Sequence, residues 1–451
     1  MDKIIEISNV QNIYFVGIGG IGMSALARYF NKLGKNISGY DRVTTVLTKT
    51  LEEEGMKIQY DENVDTVPEE IDLVVYTPAI PKDQKILTHF QKNGYVVMKR
   101  SQALGLISKE TRCIAIAGTH GKTSTSSLVA HVLTHSGKNP TAFVGGIMKN
   151  YDSNYIAGDS DIVIVEADEY DRSFLTLEPE ISVLLSVDPD HLDIYGDHEV
   201  MLDGFREFLL KTREKGTIIL NANVVESLGA DCLDKLKEKS IYVLAYGHEM
   251  VDIAERTKVF AENSSGFFTG SHNMENAIAA LLVGEQFGVS DEEFIAAISS
   301  FAGIKRRFEK VYEKGDVIYV DDYAHHPTEI HAAVSAIRKL AGDRKVTGIF
   351  QPHLYSRTRD FQDGFAEELS KLDNIILLDI YPARELPIPG VSSDIIFNKI
   401  VNPNKRKSSK ETLIQDLIKK KDNVILTIGA GDIDTCVPMI RKLLEQEYGK
   451  E

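Results

Sequence analysis

Two glycine-rich turns carry the most specific chemistry in this sequence. The first reads GIGGIG, with Gly17, Gly19, Gly20, Ile21 and Gly22 between the apolar run Asn12–Val16 and a helix-spaced segment. It fits G-x-G-x-x-G. Glycines let a backbone approach a diphosphate, and the start of the next helix adds amide donors and the positive end of a dipole. Asp41 lies 19 residues beyond Gly22, where dinucleotide folds keep a ribose-binding acid. The pattern predicts a nucleotide diphosphate and leaves open whether the nucleotide is NAD or another. A tight turn that needs glycine only for packing is the structural alternative.

The second turn, AIAGTHGKTSTSS, holds Gly118, Thr119, His120, Gly121, Lys122, Thr123 and Ser124. It is a shortened P-loop relative, since Ile116 stands where the full motif has glycine. Its amides can cradle phosphate, Lys122 can reach the outer phosphates, and the Thr123 hydroxyl can ligate Mg²⁺. A lysine at a helix start opposes the helix dipole, so packing alone does not explain it. A simple dehydrogenase or kinase needs one such turn. Two of them imply one nucleotide as energy source and another as carrier on the substrate.

Charged and polar residues follow other apolar runs. In VIVEADEYDRSF, Glu166 ends a strand, a usual place for an acid near Mg²⁺, and Asp168, Glu169 and Asp171 read as an acidic loop. His191 in DPDHLDIYGDH suits a metal or a phosphate. Asn273 and Asn276 in SHNMENA suit a base or sugar, or cap a helix. Of Arg306 and Arg307 in GIKRRF, one is expected on phosphate and the other in solvent. DDYAHHPTEI, FQPHLYSRTRD, YPARE and TIGAGDI each follow a strand candidate. In an open α/β sheet these strand ends face one crevice, which puts Tyr323, His325, Arg357 and Arg384 on one rim.

The elements that position these residues alternate between strand and helix, predicting parallel sheets covered on both faces. Strands are expected at Asn12–Val16, Ile37–Tyr40, Leu73–Tyr76 and Tyr95–Met98, then at Cys113–Ala117, Ile162–Val165, Ile181–Val187 and Thr217–Leu220. A third set is expected at Val317–Val320, Val346–Phe350, Ile375–Asp379 and Val424–Ile428. Three α/β units in series fit 451 residues. The basic run Lys405–Lys410 reads as a solvated loop. A net charge of −16 argues against a nucleic-acid coat. Cys113, Cys232 and Cys436 have no metal or disulfide spacing. No signal peptide or membrane span is evident, and a cytoplasmic protein is expected.

In family order from residue 15 to residue 433, the motifs FVGIGGIGMSALA, TPAIP, GTHGKTS, EADEYDRSF, DHLDIYGDH, HNMENA, RRFE, DDYAHHPTEI, FQPHLYSRTRDF, YPARE and GAGDI resemble those of the Mur ligases of peptidoglycan synthesis. The resemblance implies an α/β fold of three domains in series. These are a Rossmann-like UDP-sugar domain (1–108), a central P-loop-type ATPase domain with a mostly parallel sheet (109–303), and a Rossmann-like amino-acid domain (304–451). It implies ligation of L-alanine to the lactyl carboxylate of UDP-N-acetylmuramate through an acyl phosphate, with ATP and Mg²⁺. A ligase that recycles a murein tripeptide is the nearest rival. A NAD-dependent oxidoreductase and a non-catalytic nucleotide-binding regulator are more remote ones.

The resemblance gives the first turn, with Asp41, Thr77, Pro78 and Ala79, to the UDP-sugar rather than to NAD. It gives ATP to Gly118–Ser124, Asn273, Asn276, Arg307 and Asp322. Thr123 and Glu166 become ligands of a first Mg²⁺ and His191 of a second metal. Tyr323, His325, Arg357 and Arg384 become amino-acid contacts, and Lys122, Glu166, His191, His325 and Arg357 the catalytic set. Leu354 replaces an arginine of some members. Arg206 stands where sister ligases carry a carbamylated lysine, so no carbamate is expected. No membrane or nucleic-acid partner is expected, and monomer and weak homodimer both remain open.

Overall fold

The computed structural model describes residues 6–78, 80–81, 83–170, 172–189, 192–247, 271–383, 385–418 and 423–449. The chain divides into two compact units: residues 1–265 with 275–302, and residues 266–274 with 303–451.

The first unit contains two sheets. One has the order β3-β2-β1-β4-β5, from β1 (Asn12–Val16), β2 (Asn36–Tyr40), β3 (Lys57–Gln59), β4 (Leu73–Tyr76) and β5 (Val97–Lys99). All its pairings are parallel. The last four residues of β1 are buried, as a strand covered on both faces requires. Strand order reverses between β1 and β4. The Gly17 turn follows β1 and Thr77–Pro78 follow β4, so both lie at the switch point where open sheets bind ligands.

The second sheet has the order β12-β11-β10-β6-β9-β7-β8. Its strands are β6 (Arg112–Ala117), β7 (Thr141–Met148), β8 (Ser153–Ile156), β9 (Ile162–Glu166), β10 (Ile181–Leu184), β11 (Thr217–Asn221) and β12 (Tyr242–Tyr246). Only β7 and β8 pair antiparallel. One continuous core joins residues of both sheets, from Phe15 and Phe30 to Phe174, Phe205 and Phe208. The Lys122–His135 helix follows β6. Its Leu128, Val129, Val132 and Leu133 are fully buried, as are Thr125, Ser126 and Ser127.

The second unit carries the order β13-β14-β18-β15-β16-β17, from β13 (Glu309–Lys314), β14 (Val317–Asp322), β15 (Val346–Phe350), β16 (Asn374–Leu377), β17 (Lys405–Lys407) and β18 (Val424–Ile428). Only β13 runs antiparallel to its neighbour. The basic run is therefore not a solvated loop. Lys405 Nζ donates to the carbonyls of Phe397 and Ile400 at 2.7 Å. Arg406 pairs with Asp416 and Lys407 with Asp394. Among the described residues no helix is long and apolar enough to cross a membrane.

Candidate active site

The first turn is tightly bonded within itself. Gly17 N and Ile18 N donate to Tyr40 O at 2.7 and 3.1 Å, and Gly20 N donates to Gly17 O at 3.2 Å. Gly19 N donates to Asp41 Oδ2 at 2.7 Å, and Val43 N to Asp41 Oδ1 at 3.2 Å. Asp41, expected on a ribose, thus faces the turn's own backbone. A Cβ on Gly19 would meet Thr48 Cγ2 at 2.6 Å and Asp41 Oδ2 at 2.8 Å, so only glycine fits. Thr77 packs on Gly17, with its Cγ2 3.0 Å from the Cβ position there. Pro78 is exposed, and Ala79 lies outside the described residues.

The second turn sits between the ends of three parallel strands. Thr119 N donates to Ser186 O at 3.1 Å, Thr119 Oγ1 lies 3.0 Å from Ser186 Oγ, and His120 N donates to Ser186 Oγ at 2.9 Å. Gly121 has φ +84°, and its Cβ position lies 2.7 Å from Asn276 Oδ1. Asn276 is buried and accepts from Thr125 Oγ1 at 3.0 Å. Ser124 and Asn273 are half-buried.

Lys122 Nζ donates to Gly118 O at 2.6 Å and to Glu169 Oε1 at 2.8 Å. Glu169, read as part of an acidic loop, is fully buried. Burial alone would push Lys122 down, but Glu169, Asp168 and Glu166 outweigh it and hold the ammonium above its ordinary range. Glu166 ends β9, beside β6 in the same sheet. Its Oε1 accepts from Thr123 Oγ1 at 2.8 Å, and its Oε2 accepts from Gly145 N at 2.8 Å and Ser126 Oγ at 3.4 Å. A hydroxyl and a carboxylate meeting in this way suit a hard cation that keeps most of its other positions for water and phosphate. His191 and its flanking Asp190 lie outside the described residues. Arg206 donates to Asp203 Oδ1 at 2.8 Å and to the carbonyls of Ser227 and Leu228 at 2.9 and 3.0 Å.

In the second unit both arginines of GIKRRF are held, so neither is the solvated one expected. Arg306 Nε donates to buried Asp321 at 3.1 Å and its Nη2 to Gly429 O at 2.6 Å. The guanidinium carbons of Arg306 and Arg307 lie 5.2 and 5.1 Å from the Tyr323 ring centre, within cation–π range. Asp322 accepts from Phe308 N at 2.6 Å and Ala324 N at 2.7 Å. Burial raises Asp322 to about 6 against the pull of Arg307 and these bonds.

Tyr323 and His325 meet edge to face at 5.4 Å, and His325 and His353 at 6.1 Å. Arg357 Nη1 lies 3.5 Å from His353 Nδ1. Three of the four rim residues therefore gather, while Arg384 lies outside the described residues. His353 was missed, although it stands in the quoted FQPHLYSRTRD; it stacks on Tyr381 at 5.9 Å. His325 Nδ1 faces Tyr323 O at 3.1 Å and Glu329 Oε2 at 3.2 Å, which assigns its proton to Nδ1 and leaves Nε2 an acceptor.

Burial lowers His325 to about 4 and His353 to about 3. Both rings are expected to stay neutral from pH 8 to pH 5 in an NMR titration; a midpoint near 6.5 in either would show a solvated ring. Their folded values lie below the unfolded one. Stability from keeping them neutral is therefore present above about pH 6.5 and is lost as pH falls toward 4.

Three α/β sheets, with a lysine-bearing phosphate turn on the central strand of the second, define a nucleotide-binding α/β enzyme of P-loop type. The chain belongs to the Mur ligase family. Residues 12–112 match the Mur ligase family catalytic domain, residues 116–284 the Mur ligase middle domain, and residues 306–431 the Mur ligase glutamate ligase domain. It is 44% identical to a UDP-N-acetylmuramate–L-alanine ligase of Cytophaga hutchinsonii, covering 99% of each chain. It is 45% identical to one of Flavobacterium psychrophilum, covering 98% of this chain and 100% of that one. A crystal structure of the UDP-N-acetylmuramate–alanine ligase of Thermotoga maritima matches with TM-score 0.76 and 25% identity, over 98% of this chain and 100% of that one. The fold is shared with a murein peptide ligase of Psychrobacter arcticus, with TM-score 0.66 and 22% identity over 96% of this chain and 98% of that one.

Proposed function

We propose that this chain joins L-alanine to the lactyl carboxylate of UDP-N-acetylmuramate, converting ATP to ADP and phosphate, in peptidoglycan precursor synthesis. Near full-length similarity to relatives named for that reaction carries the reading. Residues 1–108 would take the UDP-sugar, 109–303 ATP, and 304–451 the amino acid.

A carboxylate is a poor electrophile, and phosphorylation supplies a leaving group. The γ-phosphoryl passes to a lactyl oxygen as its bond to ADP breaks. The neutral amine nitrogen of alanine then forms a bond to the carbonyl carbon, the C–O bond to phosphate breaks, and the amine proton leaves on the departing phosphate. Two anions must meet in the first step, so the protein's task is positioning and charge stabilisation. Lys122 sits on the phosphate turn for that task, held by Gly118 O and Glu169. Thr123 and Glu166 would hold Mg²⁺, which when bound neutralises phosphate charge. Arg357 would take the amino-acid carboxylate. An imidazole that protonates only near pH 4 is a weak base, so His325 Nε2 orients the amine by accepting a hydrogen bond rather than storing its proton.

The test is ADP release with ATP, Mg²⁺ and UDP-N-acetylmuramate, with L-alanine present, omitted, or replaced by a murein tripeptide at equal concentration. L-Alanine is expected to exceed the tripeptide at least about tenfold, the difference that about 1.4 kcal/mol of transition-state binding supplies. Preference for the tripeptide would establish the recycling ligase instead. Binding of NAD(H) without ADP release would establish an oxidoreductase.

A further inference from the structure

Of the backbone amides at the first turn, only those that open the following helix, Ile21, Gly22 and Met23, have no acceptor among the described residues. The amides of Gly17, Ile18, Gly19 and Gly20 all donate within the protein. One of their acceptors, Asp41, adds a negative charge beside the turn. A phosphate approaching here would meet those helix-start amides but also the Asp41 carboxylate, whose repulsion a nearby cation would offset.

Arg100 supplies one. It opens the helix Arg100–Glu110, which follows β5 directly. Its guanidinium lies against the first residues of the Ile21–Lys32 helix. A Cβ on Gly22 would meet Arg100 Nη1 at 2.7 Å and Arg100 Cδ and Cζ at 3.2 Å. Glycine at 22 thus makes room for this side chain. Arg100 is half-buried, and among the described residues no carboxylate pairs with it and no hydrogen bond engages its guanidinium.

Two features of that placement are unfavourable in the protein alone. A cation in the first turn of a helix opposes the dipole. A partly desolvated guanidinium without a partner forgoes hydration without gaining an ion pair. Neighbouring arginines are treated differently: Arg28 pairs with Glu54 at 2.8 Å and Arg112 with Glu180 at 2.8 Å. An anionic ligand would reverse both penalties, and a guanidinium suits phosphate oxygens.

We infer that Arg100, packed on Gly22, is the residue that binds the diphosphate of the sugar nucleotide at the first turn. The inference rests on the proposed reading of that turn as the UDP-sugar site. It goes beyond that reading in adding to the helix-start amides a charged side chain 78 residues away in the sequence.

The test uses the full chain and two probes, UDP and uridine, with calorimetric titration. Arg100→Gln keeps donors and most of the length but removes the charge. It is expected to weaken UDP roughly tenfold to a hundredfold, the range for a lost charge-assisted bond, and to leave uridine unchanged. Arg100→Lys should fall between. The KM for UDP-N-acetylmuramate should rise in parallel, with the KM for ATP unmoved. Gly22→Ala, which displaces the guanidinium without altering charge, should weaken UDP in the same sense and provides a second route if the arginine variants fold poorly. UDP binding to Arg100→Gln within twofold of the unaltered chain would overturn the inference while leaving the sugar-nucleotide site standing. If the unaltered chain takes up neither UDP nor uridine, that site and the role of Arg100 fall together.

Discussion

Lys122→Ala is expected to abolish ADP release and, independently, to destabilise the first unit. The catalytic loss follows from removing the one side-chain ammonium on the phosphate turn; loss of a single preorganised charge donor costs about 10²–10³ in rate. The stability loss has a different cause. The Lys122 and Glu169 side chains are 15% and 1% exposed and lie 2.8 Å apart. Removing one partner of a buried pair strands the other charge, at a cost of about 3–5 kcal/mol. The double variant Lys122→Ala/Glu169→Gln should therefore recover most of the stability and none of the activity.

The pH dependence of that deficit has a definite sign. Burial pushes Glu169 up, and Lys122 opposes this. Without the lysine, the folded value lies above the unfolded one. The protonated form is then the one the fold favours, and stability is lost as pH rises through the raised value. Lys122→Ala should lie closer to the unaltered chain at pH 5 than at pH 8 in chemical denaturation. An equal deficit at both, or no rescue by Glu169→Gln, would show that Glu169 is not held by Lys122. UDP binding should survive in the single variant, since the first turn makes none of these contacts.

How far the site was legible depended on what each residue answers to. Asn12–Val16, Val346–Phe350 and Val424–Ile428 read as strands and are strands, because burial on both faces leaves an unbroken apolar run. β13, EKVYEK, and β17, KRK, were not legible as strands. They form the two ends of the third sheet, where charged side chains are kept, so they lack that signature. The β7–β8 hairpin was also missed: Gly145 and Gly146 interrupt the pattern, and the pairing register shifts between Phe143 and Met148. The residues of each turn were visible because their order is local. The partners of those residues were not. Glu169 reaches Lys122 across 47 positions, and Arg306 reaches Gly429 across 123. Four acids in EADEYD look like a solvated cluster until tertiary packing separates Glu166, which faces Thr123, from Glu169, which faces Lys122.

Gly145 was missed for the same reason, and it supports a second large effect. Its amide holds Glu166 Oε2, and a Cβ at this position would lie 2.7 Å from both carboxylate oxygens. Gly145→Ala must therefore swing the carboxylate away from Thr123 Oγ1. If Thr123 and Glu166 hold Mg²⁺, the variant should need about ten times more Mg²⁺ for half-maximal ADP release and for tight ATP binding by calorimetry, a change of about 1.4 kcal/mol. Saturating Mg²⁺ should restore much of its rate. Glu166→Ala removes the ligand itself, and its loss of about 10²–10³ in rate should persist at any Mg²⁺ concentration. ATP binding in the absence of Mg²⁺ should be alike in both variants and the unaltered chain, because Lys122 and the turn amides are untouched. An unchanged Mg²⁺ requirement in Gly145→Ala would mean that Glu166 acts at a distance from the metal. A matching loss of metal-free ATP binding would mean that the turn itself had collapsed. Only a shift confined to the metal titration fits a glycine whose role is to leave room for a carboxylate.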